Sequence, residues 1–168
     1  MLGISLITLA LAATGLAQAP VGYRTVYITS MVDTKYVVQP KSATSGSTVV
    51  VQTLTNMPAQ QWYLQPGNST IQLAGSTLCL DAGPKSNWKD MATIYVKTCS
   101  ATEVAQQWLV MADGRIALPA SSNPRECVDL QYMRATPNNP VGLYNCNGLG
   151  NIGAADKGLN WPLLNVTS

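Results

Sequence analysis

The chain has no histidine and no Cys-x-x-Cys pair, and only 11% of its residues are charged. Without histidine, Ser-His-Asp and Cys-His nucleophilic catalysis are excluded. With no Cys-x-x-Cys either, the four Cys, Asp and Glu side chains that remain do not compose the usual zinc ligand sets. The ten Lys and Arg residues exceed the eight Asp and Glu by a net charge of +2, and they are scattered rather than gathered in runs. That distribution gives no footing for nucleic acid or for an anionic membrane surface. Beyond the first twenty residues no stretch is long or apolar enough to cross a bilayer, and no helical period of useful length is present.

What is present begins with MLGISLITLALAATGLAQAP, where no charged side chain occurs before Arg24. Leu6–Ala13 has the length of a signal-peptide apolar core, and Gly15 and Ala17 suit the −3 and −1 positions of a cleavage site. The expectation is a signal peptide over residues 1–17, with Ala19 as the later alternative cut, and a secreted, extracellular domain over 20–168. About 150 mature residues suit one domain with its own core. Two sequons, Asn68-Ser69-Thr70 and Asn165-Val166-Thr167, are candidate glycosylation sites in that compartment, at expected loop or terminal positions.

The organising feature is a repeat. TLCLDAG, ATIYVKTCS, AQQWLV and GRIAL, between Leu78 and Leu118, return as ECVDLQ, PVGLYNC and GLNWPLL. A worn version comes earlier as KYVVQP, STVVVQT, AQQWYL and STIQL. Trp62, Trp108 and Trp161 recur at intervals of roughly fifty residues, the signature of one supersecondary unit used three times. Each copy offers four short Val/Thr/Tyr-rich strands bounded by turn residues. Pro66–Ser69 reads as a turn, and Asp113-Gly114 as a hairpin signal. The third copy carries an insertion, NGLGNIGAADKG. Three times four strands gives an all-β class and a six-stranded barrel capped by three hairpins, a β-trefoil, with the three tryptophans as packing anchors.

Four cysteines in an oxidising compartment favour disulfides over metal. Of the three possible connectivities, repeat logic selects Cys79–Cys99 and Cys127–Cys146. The first copy has Val37 and Leu54 at those places and must be held by packing alone.

Cys-Leu-Asp at 79–81, Cys-Val-Asp at 127–129, and Gln-x-Trp at 60–62 and 106–108, in fixed order with paired cysteines about twenty apart, resemble the ricin B-type lectin family over essentially the whole mature chain. The resemblance implies up to three sugar pockets, one per copy. In each, an Asp after the first cysteine holds sugar hydroxyls, an aromatic two residues before the second cysteine stacks on the ring, and polar residues ahead of the last Trp complete the contact. A carboxylate makes charge-assisted hydrogen bonds to neighbouring hydroxyls, and an aromatic face covers the sugar's C–H face.

Carried over residue by residue, the third copy keeps Asp129 and Tyr144, with Asn145 adjacent. Gly158 and Leu159 stand where the polar pair should be, so Asn147 or Asn151 of the insertion is a candidate substitute. The second copy keeps Asp81 and Gln106 but has Lys97 at the stacking position, leaving Tyr95 or Trp88 to cover a sugar. The first copy, read with Val38 for the Asp and Gln52 for the aromatic, has no site. The alternative role for Asp81 and Asp129 is to cap the turn after each strand; for Trp88 it is a loop packing on its own domain.

The expected function is therefore a non-catalytic, secreted carbohydrate-binding protein for galactose or N-acetylgalactosamine glycans. Glycans or glycoproteins are its partners, no cofactor is implied, and a homodimer would supply avidity. The rival is a β-trefoil protease inhibitor or other protein-binding scaffold using loops Pro40–Thr48 and Tyr132–Asn139. Fold alone does not separate the two, whereas Asp129 with Tyr144 favours sugar.

Overall fold

A computed structural model describes residues 18–167, and the expected leader lies outside them. The described chain forms thirteen short strands joined by turns and 3-10 segments. The first copy contributes β1 (Arg24–Ile28), β2 (Tyr36–Pro40), β3 (Val49–Thr53) and β4 (Trp62–Leu64). The second contributes β5 (Gly67–Ser69), β6 (Gln72–Leu73), β7 (Leu78–Asp81), β8 (Tyr95–Thr98) and β9 (Trp108–Val110). The third contributes β10 (Ile116–Ala117), β11 (Glu126–Leu130), β12 (Val141–Asn145) and β13 (Leu163–Asn165), so that STIQL and GRIAL open the second and third copies instead of closing the first and second.

The inner two strands of each copy pair as hairpins, β2–β3, β7–β8 and β11–β12. The outer strands build the barrel through β13–β1–β4–β6 and β5–β9–β10. The hairpins close on one another in a ring. Val49 N–H donates to Ile94 O, Leu143 N–H to Ala92 O and Val51 N–H to Asn139 O, so each hairpin leans on the next. This is the β-trefoil that threefold repetition implies.

Trp62, Trp108 and Trp161 are buried between barrel and cap. Their indole N–H groups donate to Val38 O, Leu80 O and Val128 O at 2.9, 3.0 and 2.9 Å. A buried indole must place its donor, and here all three copies use the same carbonyl. The disulfides are Cys79–Cys99 and Cys127–Cys146. Leu54 takes the place of the second cysteine in the first copy. Its N–H bonds Lys35 O at 2.8 Å, matching Cys99 to Thr77 and Cys146 to Arg125.

Two local expectations are corrected. Pro66–Ser69 is not merely a turn, since Gly67–Ser69 is strand β5 and pairs with β9. The third barrel strand is broken into β5 and β6 where Ser69 Oγ accepts from Gln65 N–H, before Ile71 enters the core. The sequon residue Asn68 is exposed but lies on β5 rather than in a loop, while Asn165 is exposed at the end of the last strand, β13.

The barrel is least complete between β10 and β13. No ladder joins them, and among the described residues Trp161 N–H to Gly114 O, at 2.9 Å, is the one backbone bond across that seam. Pro162 stands where the other copies have Tyr63 and Leu109 and has no N–H to give.

Candidate functional site

The shared indole-to-carbonyl bond fixes which residues correspond. Val38 aligns with Leu80 and Val128, so the first-copy partner of Asp81 and Asp129 is Gln39, not Val38. The ladders also align the residues read at the stacking position. Val37 faces Gln52, Cys79 faces Lys97 and Cys127 faces Tyr144 in the three hairpin ladders.

In the first two copies this corner is filled from within. Gln60 Nε2 donates to Gln39 Oε1 at 2.9 Å and to Thr53 O at 2.8 Å. Gln106 Nε2 donates to Asp81 Oδ2 and Thr98 O, both at 3.1 Å. Asp81 is only 1% exposed. Its Oδ1 accepts from Gly83 N–H at 2.8 Å and lies 2.9 Å from the Lys97 ammonium. Asp81 and Gln106 are therefore fully engaged with their own domain, and neither presents a free group to a sugar. Trp88 is half-buried against the core and gives its indole N–H to Gly83 O at 3.0 Å. Tyr95 packs over Gly83, with the Lys97 ammonium 5.8 Å from its ring centre.

The third copy differs at both side chains that engage Asp81: Tyr144 stands in the place of Lys97 and Leu159 in the place of Gln106. Leu159 replaces the glutamine and buries itself beside Ala117 and the Cys127–Cys146 bridge. No amide reaches Asp129, a residue 7% exposed whose carboxylate accepts no hydrogen bond from any described residue. Asp129 lines a cavity of about 220 Å³ with Tyr144, Tyr132, Met91, Leu149 and Asp156. Asp129 and Tyr144 share a face because Cys127 pairs with Tyr144 and Asp129 lies two residues along the same strand. Burial first, then the charges of Asp156 and Asp90, push the Asp129 carboxyl up to about 7.

Asn145 does not reach this notch. Its side chain accepts from Asn147 N–H at 2.9 Å, and both residues line a separate polar cavity with Ser121, Asn123 and Arg125. The insertion brings Asp156 and Leu149 to the notch, not Asn147 or Asn151. Asp156 holds its turn by accepting from Gly158 N–H at 2.9 Å, as Glu103 does for Ala105 in the second copy. Tyr132 is 73% exposed and sits at φ +62°, so its ring stands at the rim. Asp156 and Tyr132 escaped the sequence reading. Five residues before its Trp, Asp156 occupies the same offset as Glu103, which was the one available signal.

Fold and notch together define a β-trefoil with one of three equivalent corners left open. The model of the ricin-type β-trefoil lectin domain matches residues 24–148, and the chain belongs to that family. No curated protein matches it in sequence. Among solved structures it is similar to the designed threefold-symmetric protein ThreeFoil, at 18% identity and TM-score 0.69, over 84% of this chain and 99% of that one. It is also similar to the C-half of the earthworm R-type lectin, in complex with GalNAc, at 14% identity and TM-score 0.62, over 85% and 99%. A third is the exo-β-1,3-galactanase 1,3Gal43A from Clostridium thermocellum, at 19% identity and TM-score 0.67. That match covers 89% of this chain but 31% of the enzyme.

Proposed function

We propose that this protein is an exported, non-catalytic glycan-binding domain with one working site, in its third copy, for galactose-type sugars. The observation that carries the reading is the contrast at the corner carboxylate. Both oxygens of Asp81 are engaged by groups of its own domain, whereas Asp129 accepts from no described residue and lines a cavity beside an aromatic ring. The Asp129 oxygens meet the notch rather than a protein donor, so sugar hydroxyls entering it can make charge-assisted hydrogen bonds to them. Tyr144 and Tyr132 offer faces for the apolar side of a pyranose. Membership of the lectin family supports the same reading, and the GalNAc-bound earthworm relative supports the choice of sugar class. Export rests on the N-terminal sequence alone.

The test is a glycan array on the secreted protein, followed by titration of the best sugar into wild type, Asp129→Asn and Asp81→Asn. Asp129→Asn is expected to weaken binding at least tenfold, while Asp81→Asn leaves affinity within about twofold. Equal affinity across all three proteins, or release of p-nitrophenol from a nitrophenyl galactoside, would overturn the proposal.

A further inference from the structure

The third-copy notch contains a second carboxylate that a neutral sugar does not require. A methyl group built on Gly158 would lie 2.9 Å from Asp129 Oδ1 and 3.3 Å from Asp156 Oδ1, so the two carboxylates are no farther apart than those distances laid end to end. Neither forms an ion pair with any described Lys or Arg. The second copy shows what this corner takes when an acid is buried in it. Lys97, at the position equivalent to Tyr144, places its ammonium on Asp81. The third-copy notch has the buried acid, an added acid and two tyrosine rings, and among the described residues no Lys or Arg lines it.

We infer that the third-copy notch selects a sugar carrying a free, protonated amine, a hexosamine rather than its N-acetylated form, with the ammonium seated between Asp129 and Asp156. The inference rests on the glycan-binding reading above and narrows it. An ammonium has three donors for two carboxylates, and its attraction to both is strengthened where water is partly excluded. The rings of Tyr144 and Tyr132 add cation–π attraction. Acetylation removes the charge and leaves two like charges facing each other. The groups facing Asp129 are Asp156 from the insertion, Asp90 from the loop before β8, Tyr144 on β12 and Tyr132 after β11. Burial, with the charges of Asp156 and Asp90 added, holds Asp129 partly protonated near neutrality, so a bound ammonium displaces its proton to solvent.

The experiment is calorimetric titration of galactosamine, galactose and N-acetylgalactosamine into the full secreted chain at pH 7. It is run in two buffers of different ionisation enthalpy and repeated with Asp156→Asn and Tyr144→Lys. Asn at 156 keeps an acceptor for Gly158 N–H, so its turn is preserved. The expected result is at least tenfold tighter binding of galactosamine than of the other two, with net proton release. Asp156→Asn should lose that preference, binding galactosamine no more tightly than galactose. Tyr144→Lys, which transplants the second-copy arrangement, should abolish galactosamine binding. Equal affinity for amine and neutral sugars, with no proton release, overturns this inference and leaves the glycan-binding reading standing. No binding of any of the three sugars, together with a blank glycan array, overturns both.

Discussion

At the scale of single residues, the two aspartates show how the same motif residue serves opposite purposes. Cys-x-Asp occurs twice, and the sequence ranks the copies only through Tyr144 against Lys97. It does not show that Gln106 and Lys97 spend themselves on Asp81, because those contacts are tertiary. Nor does it show that Leu159, an apparent defect in the third motif, frees Asp129. Asp81→Ala is expected to lower stability by roughly 2–3 kcal/mol, since it strands the buried Gln106 amide and the Gly83 N–H together. Asp129→Ala removes a buried charge with no protein partner and should cost less than about 1 kcal/mol at pH 8. Chemical denaturation of the two variants side by side measures the difference. If Asp81→Ala were the milder change, the division of labour between the copies would be wrong.

At the scale of elements, the hairpins were legible because alternating apolar residues, turn residues and cysteines all repeat in step. The disulfide pairing followed from the same periodicity. The corner residue of the first copy was misread by one position: with Val37 at the cysteine position the Cys-x-Asp spacing leads to Gln39, and the indole of Trp62 bears this out. The break between β5 and β6 escaped as well, falling where one serine hydroxyl bonds locally. The equivalence of Val37 and Leu54 with the cysteine pairs has a direct test. Val37→Cys with Leu54→Cys is expected to form a third bridge spontaneously under oxidising conditions. It should stabilise the domain by up to about 3 kcal/mol under the chain-entropy model. Thiol titration and melting with and without reductant read both outcomes, and two free thiols in the folded protein would contradict the alignment.

At the scale of the whole molecule, two buried acids set the response to pH. Glu126 is 1% exposed, its Oε2 has no partner, and burial with help from Asp90 pushes its carboxyl up to about 7. Asp129 behaves alike. Both pKa values are raised on folding, so the native state binds more protons than the unfolded chain between roughly pH 4 and 7. Their stabilising contribution is complete below pH 4 and lost as pH rises through 7. Asp113, lowered by Arg115, works the other way, and only at strongly acid pH. Unfolding free energy is therefore expected to increase from pH 8 to pH 5, on the order of 2 kcal/mol per group. Glu126→Gln should flatten part of that slope in denaturant titrations across the range, and a curve that falls over the interval would refute the assignment. The threefold plan has one further consequence, which lies at the seam. A cylinder whose sixth joint is a single clasp comes apart in a fixed order, beginning with the terminal strand that the clasp retains. The five laddered joints are thereby shielded from the first fluctuations of the chain.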